Sequence, residues 1–172
     1  RHITRLANSL LDLSRLDDAK ETLNEIPFHL ESFLESIAEE YTRKANDKGL
    51  MFDKAFMGCG ITALGDADRI RQVVVNILEN AVKFTRTGYI KFLASHEDGT
   101  LSVQVKDTGI GMDENTTQRI FQPFERAAPD LDSEGFGLGL SIVQDTVKKR
   151  GGTVSAANRA GGGAVFTIRW PE

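Results

Sequence analysis

Apolar residues recur along this chain with two different periods, and the alternation between them lays out the elements. Ile3, Leu6, Leu10 and Leu13 stand three and four apart, and Leu11 and Leu16 widen the stripe. That spacing predicts a helix with a coiled-coil-like seam. A seam needs a partner helix, so the chain is expected to begin inside a helical hairpin; a terminal helix docked on its own domain meets the same pattern. IPFHL, from Ile26 to Leu30, predicts a short strand. Leu30, Phe33, Leu34, Ile37, Ala38 and Tyr41 return to helical spacing and predict a helix that stops near Gly49. LMFDKAF and ITAL predict strands. Asp66 is placed to cap a helix whose apolar stripe is Ile70, Val73, Val74, Ile77, Leu78 and Ala81.

Period two then takes over. Ile90, Phe92 and Ala94 alternate with Lys91, Leu93 and Ser95, and Leu101, Val103 and Val105 alternate with Ser102, Gln104 and Lys106. Glu97-Asp98-Gly99 between them predicts a hairpin turn. From Asp107 to Gly139 the pattern dissolves into glycine, proline and charge, with one short helix predicted over Glu114–Phe121. Leu140, Val143 and Val147 predict a last helix, ended by Gly151-Gly152. Strands are predicted near Thr153–Ala157 and Ala164–Arg169, around the turn Gly161-Gly162-Gly163. Helices interleaved with two-faced strands predict an α+β two-layer sandwich. Its helices lie on one face of a mixed, mostly antiparallel sheet, and one N-terminal helix precedes it.

With 172 residues, 40% hydrophobic and 27% charged, a packed core is expected rather than disorder. A net charge of −4 argues against a nucleic-acid binder that works by bulk electrostatics. One cysteine, Cys59, excludes an internal disulfide and a cysteine cage for metal. No apolar run approaches the roughly 18–20 residues that span a bilayer, and no charged-then-apolar leader opens the chain. Arg1 in place of an initiator methionine predicts an excised or processed piece.

Three clusters carry chemistry. Asn76, Asn80 and Lys83 stand at i, i+4 and i+7, on one helical face beside the apolar stripe. Amide oxygens suit Mg²⁺, which keeps waters and shares substrate phosphates, and an ammonium suits the same phosphates. A solvated polar face has the same spacing. Asp107 continues the core-facing row of Val103 and Val105. A carboxylate there is costly unless it meets donors, and the exocyclic amino group of adenine would supply one. Gly109 and Gly111 let the backbone turn sharply against a flat ring; an ordinary Asp-Gly turn looks alike. Gly135, Gly137 and Gly139 run into the last helix, whose N-terminus offers free N–H groups to phosphate oxygens. No Lys-Ser or Lys-Thr follows, so this is not a Walker loop. The long connection between the two glycine clusters reads as a lid. Phe121 and Phe124 would be its latches, unless they simply anchor the core. Arg126 can reach a phosphate or stay in solvent, and Ala127–Glu134 reads as the moving part.

In order, RQVVVNILENAVKFT, DTGIGM, FQPFER and GFGLGLSIV resemble the asparagine box, first glycine box, phenylalanine box and second glycine box of one family. That family is the catalytic ATP-binding domain of bacterial sensor histidine kinases. It belongs to the wider ATPase superfamily shared with gyrase, the ninety-kilodalton heat-shock chaperone and MutL. LANSLLDLSRLDDAK resembles the end of the second dimerisation helix in such kinases. The resemblance implies a Bergerat-type ATP-binding fold over residues 23–172, with 1–22 left from the dimerisation and phosphotransfer hairpin. It implies that Asp107 accepts from the adenine amino group and that Gly109 and Gly111 shape the base pocket. Asn80 would be the main Mg²⁺ ligand, Asn76 its assistant, and Lys83 a phosphate contact. Gly135, Gly137, Gly139 and the backbone at Leu138 would line the triphosphate under the lid of Phe121, Phe124 and Arg126.

The implied cofactors are ATP and Mg²⁺. The implied partners are the phosphoacceptor histidine helix of the chain's own dimerisation domain and a response-regulator receiver domain. The whole kinase would be a homodimer, with this part in the cytoplasm and the parent anchored in a membrane. The phosphoacceptor segment itself is absent, and His2, His29 and His96 lack its context and read as structural or surface residues. Ala164-Val165 stands where hydroxyl residues are frequent in relatives, which puts one base-pocket hydrogen bond implied by the resemblance in question. Relatives that hydrolyse ATP carry Glu where Asn76 stands, and an amide cannot serve as that base. A hydrolysing ATPase and a silent pseudokinase that makes contacts through its leucine stripe are the two other readings.

Overall fold

In the computed structural model, residues 24–122 and 139–171 are described, with Thr4, Ala7 and Leu10 helical and exposed ahead of them. Capping and stripe position act together in each long helix. Helix α1 (Leu30–Asp47) follows strand β1 (Ile26–His29), and His29 Nδ1 accepts from the Ser32 N–H at 3.3 Å at the junction. The helix ends where Gly49 turns at φ +80° and the Leu50 N–H returns to the Ala45 carbonyl at 2.8 Å. Leu34, Ile37, Ala38 and Tyr41 are fully buried, as the spacing requires, while Phe33 lies at the margin against Phe28. Strands β2 (Met51–Met57) and β3 (Thr62–Gly65) lead into α2 (Ala67–Phe84). Asp66 caps α2, accepting from the Arg69 N–H at 3.2 Å, and its other oxygen takes the Asn24 N–H at 3.0 Å. All six residues of the expected α2 stripe are buried.

Strands β4 (Tyr89–Glu97) and β5 (Thr100–Asp107) form a hairpin whose turn residues Asp98 and Gly99 have φ of +50° and +72°. That pair of left-handed residues matches the twist of the two strands. A short helix α3 (Glu114–Arg119) follows, then α4 (Gly139–Lys149), β6 (Thr153–Asn158) and β7 (Ala164–Pro171). The main sheet has the order β2-β4-β5-β7-β6. Only β2 and β4 pair in parallel; the other three pairings are antiparallel. The sheet is therefore mixed and mostly antiparallel, and the architecture is an open α+β sandwich. A second sheet of two strands, β1 against β3, stands beside it.

Alternation decides what the sheet buries. Ile90, Phe92, Ala94, Leu101, Val103, Val105, Phe166, Ile168 and Trp170 point into the core with the stripes of α1, α2 and α4. Burying such side chains contributes about 1.5–3 kcal/mol each. Asp107 ends the inward row of β5, opposite Ile90.

Candidate functional site

Helix α2 is the spine on which the expected site residues meet. Its C-terminal end carries the first glycine box: the Ile110 N–H reaches the Phe84 carbonyl at 3.4 Å, and a Cβ on Gly109 would stand 2.5 Å from that oxygen. Its middle carries the start of α4, where Asn76 Nδ2 donates to the Gly139 carbonyl at 3.4 Å. Asn80 and Lys83 are half-buried further along α2, with Lys83 Nζ 5.4 Å from the Phe84 ring centre.

Asp107 is 4% exposed. Its Oδ1 accepts from the Gly109 N–H at 2.8 Å and from the Ala164 N–H at 3.2 Å. Among the described residues Oδ2 accepts nothing, so one oxygen is fixed and one is left for a donor from outside. Desolvation raises the carboxyl above its ordinary range, against the pull of the two N–H donors and Arg159. Ala164 has no hydroxyl to offer, and its backbone N–H is what meets the carboxylate.

Several residues of this site escaped the sequence. Gly163, in what looked like a featureless glycine turn, has φ +92°, and a Cβ there would stand 2.0 Å from the Asp107 carbonyl oxygen. Asn158 and Arg159 bond the backbone at the two ends of the first glycine box. Thr108 Oγ1 accepts from the Tyr89 N–H at 3.0 Å, and Gly88 leaves room for it. Arg159 Nη2 donates to the Tyr89 hydroxyl at 2.8 Å, and that bond, with the nearby cations, holds the phenol below its ordinary pKa. The only sequence signal for this group was Gly161-Gly162-Gly163, and its role depends on long-range register.

Phe121 is half-buried and meets Phe166 edge-on at 6.3 Å. Gly111 turns at φ +68° beside Asn158. Phe124, Arg126, Gly135, Gly137, Leu138 and the segment Ala127–Glu134 lie outside the described residues. So do most of the leucine stripe near the start and His2. Among the described residues no three His, Cys, Asp or Glu side chains converge as a metal cluster, and no helix is long and apolar enough to cross a membrane. The donor set available on α2 is two amide oxygens. That set suits a hard cation that draws most of its ligands from phosphate and water.

Residues 65–172 match the family described as histidine kinase-, DNA gyrase B-, and HSP90-like ATPase. The signal transduction histidine-protein kinase BarA of Escherichia coli K12 is 33% identical over 173 residues, covering 96% of this chain and 19% of that protein. Among solved structures, full-length ShkA in complex with AMPPNP aligns with a TM-score of 0.85 and 34% identity, covering 99% of this chain and 36% of that one. The histidine kinase ThkA in complex with the response regulator protein TrrA aligns with a TM-score of 0.77 and 25% identity, over 98% of this chain and 48% of that one. The chain thus spans about a fifth of the length of the curated relative.

Proposed function

The chain belongs to the histidine kinase-, DNA gyrase B-, and HSP90-like ATPase family, and on that premise we propose that it is the ATP-binding catalytic part of a two-component sensor kinase. Its task is to bind Mg-ATP and hold the γ-phosphate for transfer to a histidine on a dimerisation helix. From there the phosphoryl group passes to a receiver domain of a response regulator. Residues 1–22 are read as the end of that helical hairpin and 23–172 as the catalytic domain of a homodimeric kinase. The cytoplasm is proposed as its compartment, with the parent anchored in a membrane.

One observation carries the reading: a carboxylate at the buried end of a strand, with one oxygen held by two backbone N–H groups and the other left open. That is an acceptor for a donor on a flat ring, framed by glycines that let the ring come close. From α2, Asn80 and Asn76 are assigned as ligands for Mg²⁺, and Lys83 as a contact to the phosphates. Mg²⁺, when bound, neutralises phosphate charge and fixes phosphate geometry. The start of α4 at Gly139 offers backbone N–H groups to phosphate oxygens. Phosphoryl transfer asks little covalent chemistry of such a domain beyond position and charge. Asn76 in place of a carboxylate fits transfer to a protein side chain better than hydrolysis, because an amide is no base for water.

Calorimetric titration of the chain with ATP, with and without Mg²⁺, tests this. Saturable one-to-one binding that weakens without Mg²⁺ is expected. A folded chain that binds no ATP overturns it. Where binding is found, a longer chain that carries a phosphoacceptor histidine helix is expected to label itself from γ-labelled ATP.

A further inference from the structure

The loop after Asp107, residues 108–113, has no regular structure of its own. It is held from a hairpin turn about fifty residues away along the chain. Asn158, the last residue of β6, brackets Met112: its Oδ1 accepts from the Met112 N–H at 2.8 Å, and its Nδ2 donates to the Met112 carbonyl. An adjacent strand would supply the same pair of bonds; here a side chain does. Next to it, Arg159 Nη1 donates to the Asp107 carbonyl at 3.0 Å, while its guanidinium lies 5.2 Å from the Tyr89 ring centre. Between the two anchored ends, Gly111 fits so closely that a Cβ would stand 3.0 Å from Asn158 Oδ1. Both side chains bond the backbone at the ends of this loop, and through it they hold the frame of the pocket.

We propose that Asn158 and Arg159 are positioning residues that set the base selectivity of the Asp107 pocket. This rests on the assignment of Asp107 as the base acceptor. A carboxylate tells adenine from guanine only if its open oxygen is held at one depth and angle. Held there, it meets the adenine amino group and is repelled by the guanine carbonyl at the same ring position. Free to shift, it meets guanine's N1–H and amino donors as well. The phosphate contacts assigned to Asn76, Asn80, Lys83 and Gly139 lie on α2 and α4, to which neither Asn158 nor Arg159 bonds, so selectivity and triphosphate binding are separable.

The test is equilibrium titration of the whole chain with ATP, GTP and inorganic tripolyphosphate in Mg²⁺. The variants are Asn158→Ala, Asn158→Asp, Arg159→Ala and Arg159→Lys, each checked for its melting temperature. The native chain is expected to prefer ATP. Asn158→Ala and Arg159→Ala are each expected to weaken ATP about five- to tenfold, to lower the ATP-to-GTP ratio by a similar factor, and to leave tripolyphosphate unchanged. Arg159→Lys keeps a donor for the Asp107 carbonyl and is expected to recover part of the ratio. Asn158→Asp keeps the acceptor for the Met112 N–H and is expected to fall between Asn158→Ala and the native chain. If folded variants keep the native ratio, or weaken all three ligands alike, the clamp is structural only and the proposal is overturned. If the native chain binds ATP no better than tripolyphosphate, the assignment of Asp107 fails, and the clamp falls with it.

Discussion

The base side and the phosphate side of the candidate site are built in different ways. Around Asp107 nearly everything is fixed through bonds to the backbone or from it: two N–H groups on one oxygen, a guanidinium on the carbonyl, and glycines at the close approaches. On α2 the asparagines hang from one helical face, and among the described residues the single side-chain bond that ties them to the rest is a long one, from Asn76 to Gly139 at 3.4 Å. The Asn80 side chain makes no hydrogen bond to any described residue. A flat neutral ring offers little charge to organise a pocket, so its pocket is made in advance. A metal triphosphate carries enough charge to orient flexible amides as it arrives. The contrast predicts that substitutions on the base side act on shape, and those at the α2 asparagines act only when the metal is present.

The sharpest break comes from Asp107→Asn. It replaces the open acceptor with an amide that can turn a donor toward the adenine amino group. ATP affinity is expected to fall on the order of a hundredfold or more, with tripolyphosphate binding kept. Equal loss for both ligands would erase the contrast. The same carboxyl gives a pH test. Burial raises it above 3.8, its ordinary value, so the fold favours the protonated form more than the unfolded chain does. Its contribution to stability is therefore present below 3.8 and is lost as pH rises through the raised value. Nucleotide affinity runs the opposite way, because the acceptor must be ionised: it is expected to fall as pH drops through that window, in titrations of the native chain and not of Asp107→Asn.

Backbone shape is tested by two glycines with similar dihedrals. Gly163 and Gly161 have φ of +92° and +90°, but a Cβ on Gly163 would meet the Asp107 backbone at 2.0 Å and one on Gly161 would meet nothing within 4 Å. Gly163→Ala is expected to cost about 3 kcal/mol or more in urea unfolding, and Gly161→Ala about 1–2 kcal/mol. Equal costs would mean that close approach to Asp107 adds nothing to the strain. The smallest effect is expected from Asn80→Ala: ATP binding about tenfold weaker in Mg²⁺ and unchanged in a chelator. Loss without the metal as well would place Asn80 among the shape-holding residues.

The two sides were not equally legible in the sequence. Asp107 could be placed because period two is rigid: with Val103 and Val105 inward, residue 107 has to point the same way. The face of α2 was legible for the same reason at the helical period. Asn158, Arg159 and Gly163 carry no periodic signal at all. Their meaning depends on β7 pairing with β5, which sets Lys106 opposite Val165 and brings the last turn over Asp107. Local pattern cannot fix pairing at that distance. The split that gives β1 and β3 a sheet of their own is likewise a matter of partners, since each strand taken singly looks like any other. Phe124, Arg126, Gly135, Gly137 and Leu138, half of the expected phosphate contacts, stand outside the described residues and rest on sequence pattern and resemblance.

The clamp also gives the chain an order of events during its own synthesis. Asp107 is made long before its partners: Met112, Asp107 and the Asp107 carboxylate bond residues 46, 52 and 57 positions away, all on the C-terminal side. A nascent chain that has left the ribosome only through α4 can pair β4 with β5 and bury the α2 stripe, yet it has no finished base pocket. Closing contacts of that length is slow relative to local structure. On the proposed assignment of Asp107, nucleotide binding would therefore begin only when the last hairpin docks.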